Sequence, residues 1–180
     1  MSCDHSSHSH VRTPSRRIAL RAIALGGGAA VLTGLNPLAA MAAGHVDVLL
    51  LSCMDYRLMD ELAAYMDGRG LKDGYDHVIL AGASLGALTD KRPDWGHTFF
   101  QHVDVAIQLH HIRKVIVIDH KDCGAYREFL GAAAVSTPAR ELEEHTHYLK
   151  RLRAMILQHH PKLEVELGLM GLDGKVQTIA

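Results

Sequence analysis

The chain has 180 residues, 48% of them hydrophobic and 22% charged, proportions that fit one globular domain. Its 19 basic residues stand against 20 acidic ones, which excludes the basic footprint of a nucleic-acid binder and the cationic patch of a protein held on anionic membranes. The expected partner is a small molecule.

Residues 1–43 read as a targeting leader that stands outside the fold. A polar start, Ser2 to Pro14, precedes Arg16-Arg17, and an uncharged stretch rich in Ala and Gly follows. Paired arginines ahead of a weakly apolar run mark a twin-arginine export signal. Pro37 and Ala40-Met41-Ala42 put the cleavage point before Ala43. The competing reading is an uncleaved anchor, since positions 22–43 carry no charge, but Gly26, Gly27, Gly28, Gly34, Asn36 and Pro37 break such a span. The expectation is a periplasmic or otherwise exported domain over 44–180, with no stable membrane association after cleavage.

The first predicted element of that domain is a strand over His45 to Leu51, whose unbroken apolar run suits a strand buried on both faces. Leu58 to Asp67 has helical spacing and ends at Gly68 and Gly70. A second strand covers 77–81, and 82–89 reads as a loop of small residues. Pro93 opens a helix to about His111, with Phe99, Val103, Ala106, Ile107 and Leu109 on its apolar face. Val115-Ile116-Val117-Ile118 is the third strand. A short helix over 125–130 and a Gly/Ala-rich link follow, and then Thr137 caps a long helix from Pro138 to about His160 with Leu142, Leu149, Leu152 and Ile156 inward. Residues 163–170 form a fourth strand, and Asp173-Gly174 turns the chain into a last strand over 175–179.

Strands alternating with helices predict an α/β domain with a mainly parallel central sheet flanked by helices. Two strings bear the chemistry, Ser52-Cys53-Met54-Asp55-Tyr56-Arg57 after the first strand and His120-Lys121-Asp122-Cys123-Gly124 after the third. Two thiolates and one imidazole are the donor set of a catalytic zinc site, which leaves a fourth tetrahedral position to water. If Cys53, His120 and Cys123 share one Zn2+, strands one and three must be neighbours. Right-handed crossovers then give the order 2-1-3-4 plus a C-terminal antiparallel strand, and the winding reverses between strands one and three. That reversal is where such sheets bind ligands.

Two thiolates neutralise the ion and make its water harder to ionise, so a nearby helper gains value. Asp55 can accept a hydrogen bond from that water, or bind the zinc itself and close the site. Arg57 can take Asp55 in a bidentate pair and hold it off the metal. Gly124 leaves room at the ligand turn, and the helix starting there aims backbone N–H groups at the thiolate. Asp119 either orients the His120 imidazole or is a strand-end residue facing water; Lys121 and Asp122 read as solvated turn residues.

Cys-x-Asp-x-Arg at 53–57 and His-x-x-Cys-Gly-Ala at 120–125, with Ala81-Gly82 and the Asp173-Gly174-Lys175 turn, resemble the β-class carbonic anhydrases over most of residues 46–179. The resemblance implies reversible hydration of carbon dioxide to bicarbonate by metal-bound hydroxide, zinc on Cys53, His120 and Cys123, and an Asp55/Arg57 gate. It also implies a homodimer or larger homo-oligomer. Two positions depart from the family pattern: Asp119 stands where Gly is usual, and Ala83 where Asn is usual.

Other readings remain open at this level. The same scaffold resembles carbonyl sulfide and carbon disulfide hydrolases. A closed structural or sensing zinc module, with Asp55 as permanent fourth ligand, uses the same residues. Cys53 and Cys123 could instead form a disulfide. Trp95 and Phe99/Phe100 read as core or interface, and no one of His97, His102, His110 and His111 stands out as a proton shuttle.

Overall fold

The structure is a computed structural model that describes residues 46–180; the expected leader and its cleavage point lie outside the described residues. Strand β1, Val48–Ser52, is buried at all five positions. Alternate side chains explain why, because Leu49 and Leu51 enter one hydrophobic cluster while Val48 and Leu50 enter another on the opposite face. A 3-10 turn over Tyr56–Leu58 leads into helix α1, Met59–Gly68, which buries Leu62 and Met66.

Strand β2, Tyr75–Ile79, starts two residues before its expected position. Helix α2, Ser84–Leu88, replaces the expected loop. Five residues are too few to display a helical period, and tertiary cover makes this turn hold, since Ser84 to Ala87 are all buried. Helix α3, Pro93–His110, buries Gly96, Phe99, Val103 and Ala106, whereas Leu109, expected on that face, is exposed. His111 in the left-handed conformation ends it, its N–H returning to the Ile107 carbonyl at 3.2 Å.

Strand β3, Lys114–His120, extends beyond its apolar centre through Asp119 and His120, both buried. Helix α4, Gly124–Leu130, and a 3-10 turn over Ala132–Val135 follow. Helix α5, Pro138–His159, begins as expected, the Thr137 hydroxyl accepting the Arg140 N–H at 3.2 Å. Strands β4, Glu164–Met170, and β5, Val176–Thr178, complete the chain.

The five strands lie in the order β2-β1-β3-β4-β5, parallel except for the antiparallel β4–β5 pair. This is the order derived from convergence of the ligands. Helix α1 covers one face, with Leu58, Leu62 and Met66 against Ile116 and Ile118; the other helices supply Leu85, Phe99, Val103, Leu149, Leu152 and Ile156 to the opposite face. Among the described residues, no helix is long and apolar enough to cross a membrane. The sheet's winding reverses between β1 and β3, and both motif strings leave the carboxyl ends of those strands.

Candidate metal centre

Cys53 follows the last residue of β1, His120 is the last residue of β3, and Cys123 is the N-cap of α4. Parallel pairing holds β1 against β3, so the ends of both strands open into one crevice. The three side chains are buried, and each offers a donor atom within 4.8 Å of the other two. They are the three residues expected to ligate.

The two sulfurs are 3.9 Å apart. A disulfide requires about 2.05 Å, whereas two sulfurs each about 2.3 Å from a tetrahedral zinc stand about 3.8 Å apart. Both cysteines are free, so the disulfide reading does not describe this structure. The imidazole fits a metal as well. His120 Nδ1 lies 2.9 Å from the Lys121 carbonyl, which can only accept, so this nitrogen carries the proton. Nε2 then presents its lone pair inside the cluster, buried and without a hydrogen-bond partner. A buried acceptor left unpaired is costly, and a cation between Nε2 and the sulfurs would satisfy it.

The electrostatics favour a thiolate at Cys53. A hydrogen bond from Cys123 holds the Cys53 thiol far below its ordinary range, at about 4, against the opposing effect of burial; His120 and the Gly82 N–H, 3.2 Å from Sγ, act in the same direction. The Cys123 thiol is pushed up by that hydrogen bond to Cys53, by burial and by the charge on Cys53, while the N–H groups of Ala125 and Tyr126 pull it down. Burial opposes charge on His120, but the hydrogen bond and charge of Cys53 outweigh it and raise the imidazole. A thiolate beside an imidazole lone pair is an arrangement that a divalent ion completes.

Beside this cluster, Asp55 and Arg57 form the expected bidentate pair, Nε to Oδ1 at 2.9 Å and Nη2 to Oδ2 at 2.8 Å. The pair is made within a turn. Asp55 caps the 3-10 turn, its Oδ1 accepting the Arg57 backbone N–H at 3.0 Å, and the turn folds the guanidinium back onto the carboxylate. Those bonds hold the Asp55 carboxyl at about 2, so it is ionised throughout the neutral range. Its Oδ2 is 3.8 Å from His120 Nε2.

Three expectations are corrected or extended here. Asp122 is an exposed turn residue as expected, but it also has a structural part: its Oδ2 and its carbonyl accept Arg57 Nη1 and Nη2 at 2.9 and 3.0 Å, which fastens the second motif to the first. Asp119, expected to bond the His120 imidazole or to face water, has no bond to that ring and is buried, bonded to Ser84, Tyr126 and His145. Gly124 meets no steric limit, since a Cβ there would have nothing within 4 Å. An acidic residue inside an otherwise apolar strand was the one sequence signal for the Asp119 cluster. Nothing local announced its partners.

A cleft of about 400 Å3 opens over the cysteines between Met54, Tyr56, Ala81, Ala125 and Phe129. None of His97, His102, His110 and His111 lines it; His110 pairs with Asp76 at 2.7 Å and His102 bonds the Thr98 carbonyl.

Comparison with known proteins bears on this arrangement. The model of a family described as "Putative carbonic anhydrase" matches residues 44–179. An uncharacterized protein of Rickettsia bellii is 40% identical over 135 residues, 75% of this chain and 82% of that protein, and one from Rickettsia conorii is 40% identical over 135 residues, covering 75% and 73%. Among solved structures, tetrameric β-carbonic anhydrases from Sordaria macrospora superpose with a TM-score of 0.52 at 13% identity over 81% of this chain and 87% of theirs. A carbonic anhydrase from Glaciozyma antarctica gives 0.50 at 20% identity over 83% and 98%. At such identities the likeness is one of fold. With a family match that spans almost every described residue, and the motif cysteines and histidine gathered at one crevice of the shared fold, this chain belongs to the carbonic anhydrase family.

Proposed function

We propose that the chain catalyses the reversible hydration of carbon dioxide to bicarbonate, with Cys53, His120 and Cys123 holding a zinc ion. The observation that carries this reading is the convergence of two sulfurs and one unpartnered imidazole nitrogen beside a carboxylate that Arg57 holds. Family membership supports it. When bound, zinc supplies a Lewis acid that brings the ionisation of water close to neutral pH.

The chain's own residues do the rest. Asp55, kept ionised by Arg57, is an acceptor only and favours a species that brings a proton to it. Arg57 occupies both carboxylate oxygens and so opposes a move of Asp55 onto the metal, which keeps one position free for solvent. Ala81, Ala125 and Phe129 give the cleft apolar walls suited to a small, uncharged, linear substrate. The product is charged and polar, and such walls hold it weakly.

A homo-oligomer belongs to the same proposal. Solved β-carbonic anhydrases of this fold include tetramers, and Met54 and Tyr56, at 64% and 86% exposure, form an apolar rim beside the cleft for a second copy to cover. Export through the twin-arginine route is proposed from Arg16-Arg17 and the uncharged stretch that follows them.

Stopped-flow hydration assays on zinc-loaded protein test the activity. Turnover in the wild type, with loss in Asp55→Asn and Cys123→Ser, is the expected result. Zinc-replete wild type that is inert from pH 7 to alkaline pH would favour a sensing module, and turnover of carbonyl sulfide or carbon disulfide alone would move the assignment to hydrolysis of those substrates.

A further inference from the structure

Asp119 is 1% exposed, and its carboxylate accepts four hydrogen bonds. Ser84 donates its backbone N–H to Oδ1 at 3.0 Å and its hydroxyl to Oδ2 at 2.6 Å; Tyr126 donates its hydroxyl at 2.6 Å and His145 its Nδ1–H at 2.9 Å, both to Oδ2. Ser84, Tyr126 and His145 are themselves fully buried. Helices can be held together by apolar contact at lower cost than by a buried carboxyl group, whose desolvation its bonds must first offset. That cost points to a placement that apolar packing does not give.

The connections point the same way. Asp119 directly precedes His120 in β3. Tyr126 is three residues past Cys123 in α4. Ser84 is two residues past Gly82, whose N–H rests on Cys53 Sγ at 3.2 Å. One carboxylate is therefore tied to the segments that bear His120 and Cys123 and, through the 82–84 turn, to the N–H that rests on Cys53. Between Gly82 and Ser84, Ala83 takes φ 40° and ψ −100°, a conformation that a residue with a Cβ keeps only when its surroundings impose it. The two bonds from Ser84 to Asp119 contribute to that imposition, beside the Ala83 N–H on the Leu80 carbonyl at 3.0 Å. His145 turns its Nδ1–H to Asp119 and leaves its own Nε2 buried without a partner.

We propose that Asp119 is the positioning residue of the metal centre: through Ser84 and Tyr126 it fixes the 82–84 turn and the start of α4, so that the Gly82 N–H, Cys53 Sγ, His120 Nε2 and Cys123 Sγ are in place before a metal arrives. This rests on the reading of Cys53, His120 and Cys123 as the ligand set. Asp119 touches neither substrate nor metal and acts through its neighbours.

Three variants of the chain test it: Ser84→Ala, Tyr126→Phe and Asp119→Asn. The first two lose one hydroxyl each and remain decisive even if the third fails to fold. The readouts are zinc affinity by competition with a chromogenic chelator, the thiolate-to-cobalt charge-transfer absorption of cobalt-loaded protein, and amide hydrogen exchange at residues 82–84 without metal. Folded Ser84→Ala and Tyr126→Phe should bind zinc about 10- to 100-fold more weakly, shift the cobalt band and exchange faster at 82–84. Wild-type zinc affinity in both folded variants overturns the positioning role. Wild type that binds neither zinc nor cobalt overturns the ligand set itself, and the positioning role with it; the wild-type titration separates these two failures.

Discussion

Arg57 closes a fork on Asp55, Nε to Oδ1 at 2.9 Å and Nη2 to Oδ2 at 2.8 Å, while its Nη1 reaches Asp122 Oδ2 at 2.9 Å. One guanidinium thus orients the carboxylate of the first motif and anchors the ligand loop of the second. Lysine has the charge without the fork, so Arg57→Lys should behave almost as Arg57→Ala. The expected loss in kcat/KM for carbon dioxide hydration is about 100-fold, the scale of a misplaced active-site group. Stopped-flow kinetics on zinc-loaded variants checks it, and zinc content at wild-type level would show that the gate, not the ligand set, had failed.

The 3.9 Å separation of Cys53 and Cys123 predicts that both are reduced and that metal shields them. Thiol titration of native protein should count neither of them until a chelator is added, and then both. Cys53→Ser and His120→Ala should each abolish stoichiometric zinc, read by elemental analysis. Retention of one zinc per chain in Cys53→Ser would remove that sulfur from the ligand set.

Much of this arrangement was legible because it lies in contiguous strings. Val115 to Ile118 marked β3, Thr137-Pro138 marked the start of α5, and the demand that Cys53 meet His120 and Cys123 put β1 beside β3. The unread parts depend on distance along the chain. Asp119 meets Ser84 across 35 residues and His145 across 26, and Arg57 meets Asp122 across 65, so no short window of sequence contains any of the three pairs. Helix α2 escaped because a buried Ser-Leu-Gly-Ala-Leu turn has no polar face to set a period.

Acid should loosen the sheet at Glu166. Burial raises the Glu166 carboxyl, but hydrogen bonds from Lys114 and Arg69 outweigh burial and hold it below its ordinary 4.5. A carboxyl lowered in the folded state adds stability above 4.5, and that share disappears as the pH falls through the lower folded value. Glu166 is 38% exposed, so solvent screening limits the contribution to about 1 kcal/mol or less. Urea unfolding of Glu166→Gln at pH 7 and pH 3 should show a smaller stability difference between the two pH values than wild type does, and raised salt should narrow the gap between the two proteins.

Gly86 and Gly96 separate local from global effects on the centre. A Cβ at Gly86 would stand 2.5 Å from the Ala81 carbonyl oxygen, and one at Gly96 would stand 2.5 Å from that of Ala87. Both obstacles are backbone, which cannot swing aside as a side-chain tip can. Alanine at either site should therefore cost about 1–3 kcal/mol, measured by denaturant unfolding. Their consequences for metal should differ. Ala81 adjoins Gly82, whose N–H rests on Cys53 Sγ, whereas Ala87 lies near the far end of α2. Displacing the Ala81 carbonyl rotates the Ala81–Gly82 peptide and with it the N–H on Cys53, so Gly86→Ala should weaken zinc about 10-fold while Gly96→Ala, equally destabilised, keeps wild-type affinity. Equal affinities in the two variants would mean that the 81–84 turn has no part in holding the ligands.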